Sequence, residues 1–531
     1  MKRIACLWAL VLICLYANAQ SGQLITSFGS GGAALTPVGP GSDEARNLVV
    51  QSNGKIVVVG HAYNGNDLDF AIARYNTDGS LDNSFGTGGF VTTDIDGGDD
   101  LAYGVAIQSD GKIVVAGDGL QTSYDFTVIR YLANGTLDTS FSGDGIATVD
   151  ITGFQSDDHI NYMLIQPDGK IVANGYRNAG SNGDFALIRL NTNGSPDATF
   201  GGGDGIVYTD LNGGSEDFSS GVLLQPDGKL ILCGSSGGGS VYDFAAVRYN
   251  ANGTLDASFG TGGGVLYSIG GDDHCYASAL QADGKIVLVG WADMSGQDDF
   301  GTIRLKSNGS LDSTFGVNGI VTTNISPGPS DDQAIGVALQ PDGKIVLCGN
   351  SWNGDFNLVR YDTLGVPDST FDSDGIATAD ISGGQNDFAR KVRLAGQVIY
   401  VAGWAQQSGN KEFALAAFEN DGYSLRQVFT QSGPPAVQQR IGVADDRAFV
   451  RMQVFPNPVV DLLQVRLPAG ITGKLVVQVV DGAGKVVRSV DVTASGHGLT
   501  AMVPVGTLSR GAYRLRILGG SRPLTSTFLK Q

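Results

Sequence analysis

The chain has 531 residues, 79 of them Gly, and its 53 acidic against 34 basic side chains leave a formal net charge of −19. It is too long for one ordinary domain and, at 42% apolar residues, too apolar for a disordered acidic tail. So acidic a chain repels phosphate, which argues against nucleic acid or an anionic membrane surface and for cations, polar glycans or basic proteins as partners.

Residues 1–19 have the layout of an export signal: Lys2 and Arg3, an apolar run from Ile4 to Tyr16, and Ala17-Asn18-Ala19 as a cleavage site between Ala19 and Gln20. No later stretch approaches eighteen uninterrupted apolar residues, so no transmembrane segment is expected. Two of the five cysteines fall in the signal, and the three left do not make a disulfide framework. Cys233 and Cys348 occupy the same slot two units apart and read as core residues.

From residue 20 to 422 the chain repeats itself about every 57 residues. A phrase of the form Gln-Pro-Asp-Gly-Lys-Ile-Val-Leu-x-Gly ends at Gly60, Gly117, Gly175, Gly234, Gly290, Gly349 and, worn, at Gly403. Asp-Phe-x-x-x-Arg-Tyr recurs from Asp69 to Asp355, with a worn copy at Glu412-Phe413. Ser/Thr-Phe-Gly marks Phe85, Phe141, Phe200, Phe259, Phe315 and Phe371, and its seventh copy stands at the start, Ser27-Phe28-Gly29. Each unit holds four short strand-like runs separated by Gly, Asp and Asn turns, as at Ala334 to Leu339, Lys344 to Leu347, Phe356 to Tyr361 and Gly375 to Ala379. Asn76 to Gly79 fails as a calcium loop, since its first and twelfth positions would be Arg74 and Phe85.

Seven four-stranded units predict an all-β, seven-bladed β-propeller. The displaced Ser-Phe-Gly predicts how it closes: Gly32 to Leu35 supplies the fourth strand of the last blade, beside Phe413 to Phe418, with Tyr423 to Thr430 as a competitor for that slot. In Leu81-Asp82-Asn83-Ser84-Phe85-Gly86 and Gln340 to Lys344 the repeat resembles that of the bacterial delta-60 repeat proteins, a family known by its repeat and without a general activity.

Residues 423–453 read as a linker. From 454 to 531 the balance turns to net +6, with alternating runs that describe a small β-sandwich. Phe455-Pro456-Asn457-Pro458 with Asp461, the Gly482-Ala483-Gly484-Lys485 turn, Gly511-Ala512-Tyr513 and the terminal Lys530 resemble the C-terminal sorting domain of type IX secretion. The resemblance implies passage to the periplasm and then across the outer membrane of a Gram-negative cell by that machinery, with release or surface attachment.

Among candidate site residues, those present in every unit point to scaffold. The Arg of Asp-Phe-x-x-x-Arg-Tyr and the Asp of Leu-Asp-x-Ser-Phe are expected to pair inside each blade. An Asp stands before the innermost strand of each unit: Asp43, Asp100, Asp158, Asp217, Asp273, Asp332 and Asp387. Either it caps a turn, or the seven form a carboxylate ring that attracts a cation such as Ca²⁺. His159 and His274 follow that Asp two units apart, too far to share a metal. The residues that break the pattern are Trp291, Trp352 and Trp404, after the second strand of three consecutive blades, joined by His61 and Tyr63 from the first. They make either a platform for sugar rings or a basic peptide, or caps between blades. Nucleophilic catalysis lacks a Ser or Cys dyad. The expected function is therefore a secreted or surface-attached monomeric module that binds glycan or protein without catalysis. The alternatives are a cation-dependent propeller lyase or hydrolase using the Asp ring, and a structural surface-layer component.

Overall fold

The structure, a computed structural model, describes residues 21–120, 122–151, 156–178, 182–238, 241–326, 331–352 and 354–421, and the strands of the C-terminal unit. The expected signal with its Ala19/Gln20 boundary, the linker and the competing Tyr423 to Thr430 lie outside the described residues. Contacts divide the chain into two units, Met1–Gln427 and Val428–Gln531.

All regular structure described in the first unit is β. Seven four-stranded antiparallel sheets follow one another. The first consists of β2 (Asp43–Val50), β3 (Ile56–Tyr63), β4 (Leu68–Tyr75) and β5 (Phe90–Thr93). The pattern repeats five times, with innermost strands β6 (Leu101–Ile107), β10 (Asp158–Ile165), β14 (Glu216–Leu224), β18 (Asp273–Leu280) and β22 (Gln333–Leu339). The last blade has β26 (Asp387–Ala395), β27 (Val398–Gln407) and β28 (Asn410–Glu419), and its fourth strand is β1 (Ala33–Thr36), paired Ala33 to Ala416 and Thr36 to Phe413. Each innermost strand contacts the next, and β26 contacts β2, so the ring is closed.

Two glycine positions in each repeat follow from geometry. The Gly of the Pro-Asp-Gly-Lys turn adopts φ between 84° and 91° in six blades, the left-handed region a hairpin of this length requires. The Gly that ends the second strand faces a β-bulge in the innermost strand of every blade. There a Cβ would lie only 1.7–2.0 Å from the opposing carbonyl oxygen. The bulge leaves one extra, unpaired residue per blade on the innermost strand: Arg46, Tyr103, Asn161, Ser220, Tyr276, Ile335 and Arg390.

The core is a set of clusters between blades. The one between the first two joins Val57, Val59, Phe70 and Phe85 to Val105, Ile113, Val115 and Tyr131. Each fully buried Val, Leu, Ile or Phe contributes about 1.5–3 kcal/mol. Charge is buried there in a fixed device. Arg74 Nε donates to Asp82 at 2.6 Å, Lys55 Nζ donates to the same carboxylate at 2.7 Å, and Arg74 Nη1 reaches Ala133 O in the next blade while its guanidinium covers the Phe85 ring. Five further blades repeat the Arg–Asp pair, at Arg130–Asp138, Arg189–Asp197, Arg248–Asp256, Arg304–Asp312 and Arg360–Asp368, as expected. The lysine's share in it was not anticipated. Cys233, Cys275 and Cys348 are buried free thiols, and burial pushes those of Cys233 and Cys348 up to about 12.

The C-terminal unit has a three-stranded sheet of β29 (Gln453–Phe455), β30 (Leu462–Leu467) and β33 (Leu499–Pro504), and a four-stranded one of β31 (Thr472–Val480), β32 (Val486–Ser495), β34 (Gly511–Leu518) and β35 (Leu524–Lys530). Val477, Val479 and Leu515 are buried on the latter.

Candidate functional site

The seven Asp residues before the innermost strands are at most 1% exposed. They act as acceptors for the crossover from the preceding blade. Asp43 takes the N–H groups of Val38, Gly39 and Tyr63, Asp100 those of Ile95 and Leu120, and Asp387 those of Ile381 and Ser382. No carboxylate cluster among the described residues contains two members of the series. Four of them, Asp100, Asp158, Asp217 and Asp387, are grouped instead with acids of their own crossover, as Asp100 is with Asp69 and Asp94, and burial pushes Asp100 up to about 7.

The residue after each of these Asp faces the residue after the second strand's Gly, giving one variable pair per blade: Glu44/His61, Leu101/Asp118, His159/Tyr176, Phe218/Ser235, His274/Trp291, Gln333/Asn350 and Phe388/Trp404. From the first blade to the seventh the second member alternates between an aromatic ring and a small polar group, so that two rings, Trp404 and His61, fall on neighbouring blades where the ring closes. The polar ones accept from the next blade's bulge: Ile160 N to Asp118, Cys275 N to Ser235 (2.9 Å) and Ala389 N to Asn350 (2.7 Å).

These pairs assemble a belt of rings. Centroid separations are 5.2 Å from Tyr124 to His159, 5.0 Å to Tyr176, 4.8 Å to Phe218, 5.8 Å to Tyr242, 4.7 Å to His274 and 4.6 Å to Trp291. The arc crosses blades two to five, and all seven rings are half-buried. It is anchored by polar contacts: His159 Nδ1 lies 2.8 Å from buried Asp118, Tyr242 donates to Glu216, and Trp291 Nε1 donates to the Tyr276 hydroxyl at 3.2 Å. Burial pulls His159 down, but the Asp118 hydrogen bond and charge more than offset it, so its pKa is raised; in His274 burial wins and the pKa is lowered.

Tyr276, 37% exposed, links the arc to the channel. There the charge is opposite in sign to that of the chain. Arg46 lies over the Tyr103 ring, and burial with the nearby Arg46 charge pulls Arg390 down to about 10. Glu44 binds Arg46 at 2.8 Å and Lys411. The Nε atoms of Arg46 and Arg390 are buried without a hydrogen-bond partner. Further along, Arg393 donates to the Tyr162 hydroxyl at 3.0 Å across the channel, and Lys391 lies over the same ring.

The three tryptophans expected to form one platform are not brought together. Trp291 belongs to the arc. Trp404 is only 8% exposed, stacked on Phe388 and covered by Lys411. Trp352 is 79% exposed and lies beyond the end of its strand, whose slot Asn350 fills. His61 is 5% exposed, and burial with the Arg46 charge lowers its pKa to about 3. Tyr63 is half-buried against Gly41. His159 and His274 stand apart, separated by three rings. Tyr124, Tyr176, Phe218 and Tyr242 were missed by sequence reasoning; the signal lay in three positions that change from blade to blade: the residue after the buried Asp (Phe218), the one after the second strand's Gly (Tyr176) and the one before the third strand's Asp (Tyr124, Tyr242). Of the sorting residues, Gly511 pairs with Lys530 across β34 and β35, and Tyr513 lies on β34. Pro456, Asn457, Pro458, Asp461, Gly484 and Lys485 lie outside the described residues.

The fold and this mouth define a closed, seven-bladed repeat propeller with a ring-lined face. The domain of unknown function DUF5122 beta-propeller matches residues 51–85, 108–141, 166–200, 225–259, 281–315 and 340–371, and the secretion system C-terminal sorting domain matches 453–531. The chain therefore carries DUF5122 beta-propeller repeats and a type IX sorting domain, which directs export to the cell surface or the extracellular space. No helix among the described residues is long and apolar enough to cross a membrane. No curated protein matches the chain.

Solved structures are similar at the level of the fold alone. PorZ, a surface component of the type IX secretion system of Porphyromonas gingivalis, is 10% identical with a TM-score of 0.38 over 91% of this chain and 59% of its own. This chain thus spans less than two thirds of PorZ. The polysaccharide lyase Uly1 is 12% identical (TM-score 0.43, 77% of this chain, 94% of that one), and Sqt1 of Chaetomium thermophilum 13% (0.40, 73% and 98%).

Proposed function

We propose that the propeller is an extracellular binding module for a glycan chain bearing acidic groups, held along the aromatic arc with its charges at the channel mouth. The observation that carries this reading is the unbroken run of rings from Tyr124 to Trp291 across four blades. Half-buried rings offer flat apolar faces with polar edges, which suits sugar rings in sequence. The unpartnered Nε donors of Arg46 and Arg390 favour an acceptor such as a carboxylate or sulfate, since an unmet buried donor costs about 1–3 kcal/mol. A glycan array with uronate-containing, sulfated and neutral chains tests it. Tyr242→Ala and Trp291→Ala should each weaken binding by about tenfold, or ~1.4 kcal/mol, and Trp352→Ala should leave it unchanged. Retained affinity in the first two variants would remove the arc from the reading.

A second reading, catalysis, is favoured by one observation, the Asp118–His159 pair at 2.8 Å flanked by Tyr124 and Tyr176. A carboxylate that fixes an imidazole is the arrangement of a general base. Product release from acidic polysaccharides, lost in His159→Ala while binding persists, would establish it; absence of turnover leaves binding alone.

A further inference from the structure

Where one blade hands over to the next, three positions converge: the Asp that opens the third strand, the residue after the fourth strand, and the buried Asp before the next innermost strand. In four crossovers all three are Asp, with ligand-type oxygens within 4.8 Å of one another: Asp69/Asp94/Asp100, Asp125/Asp150/Asp158, Asp184/Asp210/Asp217 and Asp355/Asp380/Asp387. Three like charges so close need relief, and the crossovers supply it differently.

At the first, the Asn64 amide donates to Asp69 at 3.0 Å. At the third, the Arg177 guanidinium holds Asp184 through Nε and Nη2 at 2.9 and 2.8 Å. Between the fifth and sixth blades Asn324 replaces the middle Asp and donates to Asp299 at 3.1 Å. Asp125 has no such donor. It is only 7% exposed, and its Oδ1 is buried without a hydrogen-bond partner. Turn capping accounts for Asp158, whose Oδ2 holds the Ile151 N–H at 2.9 Å, but it gives Asp125 nothing to do.

We propose that Asp125, Asp150 and Asp158 bind a divalent cation, Ca²⁺, at the crossover between the second and third blades. The oxygens all lie within 4.8 Å of one another, close enough to surround an ion with ligand distances of about 2.3–2.6 Å, and a set of carboxylates opening onto water suits the flexible oxygen sphere of Ca²⁺ better than the strict octahedron of Mg²⁺. Asp158 is fixed by its backbone bond before the ion enters. Asp150 is exposed, which leaves water room to complete a sphere of about six to eight ligands. The ion would pin the outer edge of one blade to the entry of the next, and its binding does not depend on the glycan reading.

The test is equilibrium dialysis of the full exported chain against millimolar Ca²⁺, the range of extracellular modules, beside thermal melts with and without Ca²⁺. Asp125→Asn should lose one equivalent of bound Ca²⁺. Asp150→Asn, the residue found naturally at Asn324, should lose the same equivalent in a chain that still folds, and with it part of the Ca²⁺-dependent rise in melting midpoint. Asp184→Asn, beside Arg177, should leave the stoichiometry unchanged. No Ca²⁺ bound by the wild-type chain, or equal binding by it and a folded Asp150→Asn, would overturn the proposal.

Discussion

Two side-chain pairs recur around the ring, and where one member changes its partner changes too. At the end of the third strand a Tyr hydroxyl meets a Thr on the preceding blade's outer strand: Tyr75 with Thr36, Tyr131 with Thr93, Tyr249 with Thr209 and Tyr361 with Thr323. Elsewhere the core clusters join apolar pairs at that place, Leu190 with Val149 and Phe418 with Ala379. The Arg–Asp pair behaves alike: in the closing blade Ile25 and Ala417 stand in its place, joined by Ile25 N to Ala417 O at 2.8 Å. Removing one buried partner strands the other's charge, whereas replacing both need not. Asp312→Ala should therefore cost about 3 kcal/mol in denaturant unfolding, because it strands the buried guanidinium of Arg304, while Lys285 keeps Asp283 at 3.1 Å. Adding Arg304→Ala, with isoleucine at position 312, should recover most of the loss. The two arc histidines titrate in opposite senses. The raised value of His159 gives stability that is full below the unfolded value of about 6.5 and lost as pH rises through the folded one. The lowered value of His274 withholds stability below pH ~6.5. His159→Gln should thus flatten the loss of melting midpoint above neutral pH and leave the low-pH slope in place.

The strands and the closure were legible in the sequence because each depends on a residue type that repeats at a fixed phase: turn Gly, buried Phe, paired Arg and Asp. The bulges were not, since a bulge has no residue of its own and shows only in the Gly opposite, which reads as punctuation. That gap hid the mouth, because the unpaired residues of the bulges include Arg46, Tyr103, Tyr276 and Arg390. The tryptophans divide for a related reason: Trp352 follows its second strand, which ends at Asn350, whereas the second strands holding Trp291 and Trp404 run on past them. The seam joins the first and last strands of the propeller, β1 and β28. Arg360, fully buried, bonds Ser21 and Asp421 there, so one side chain holds both ends of the propeller chain. Removing residues 21–36 uncovers the edge of β28 and the clusters that Ala33, Ala34 and Phe28 complete. The expected result is concentration-dependent association in light scattering, as an unpaired apolar edge recruits another chain. Adding the peptide back should reverse the association.

For the molecule as a whole, the acidic composition and the candidate site point in different directions. With two positive charges in residues 1–19 and a net +6 in 454–531, the total of −19 leaves −27 for residues 20–453. Composition alone thus favours cations and basic partners, yet Arg46, Arg390, Lys391, Arg393 and Lys411 gather at the channel. The two fields differ in range. At ~0.01 M salt the screening length is about 30 Å and the acidic body acts on an approaching polyanion, whereas at ~0.1 M it is about 10 Å. Contacts inside the mouth, half-buried and short, are screened less. Association of a sulfated or uronate oligosaccharide should therefore quicken as salt rises from ~0.01 to ~0.1 M, while that of a basic peptide slows. Stopped-flow measurement across that range, following Trp291 fluorescence, distinguishes the two. An anionic chain that binds fastest at the lowest salt would show that the mouth, not the body, steers approach.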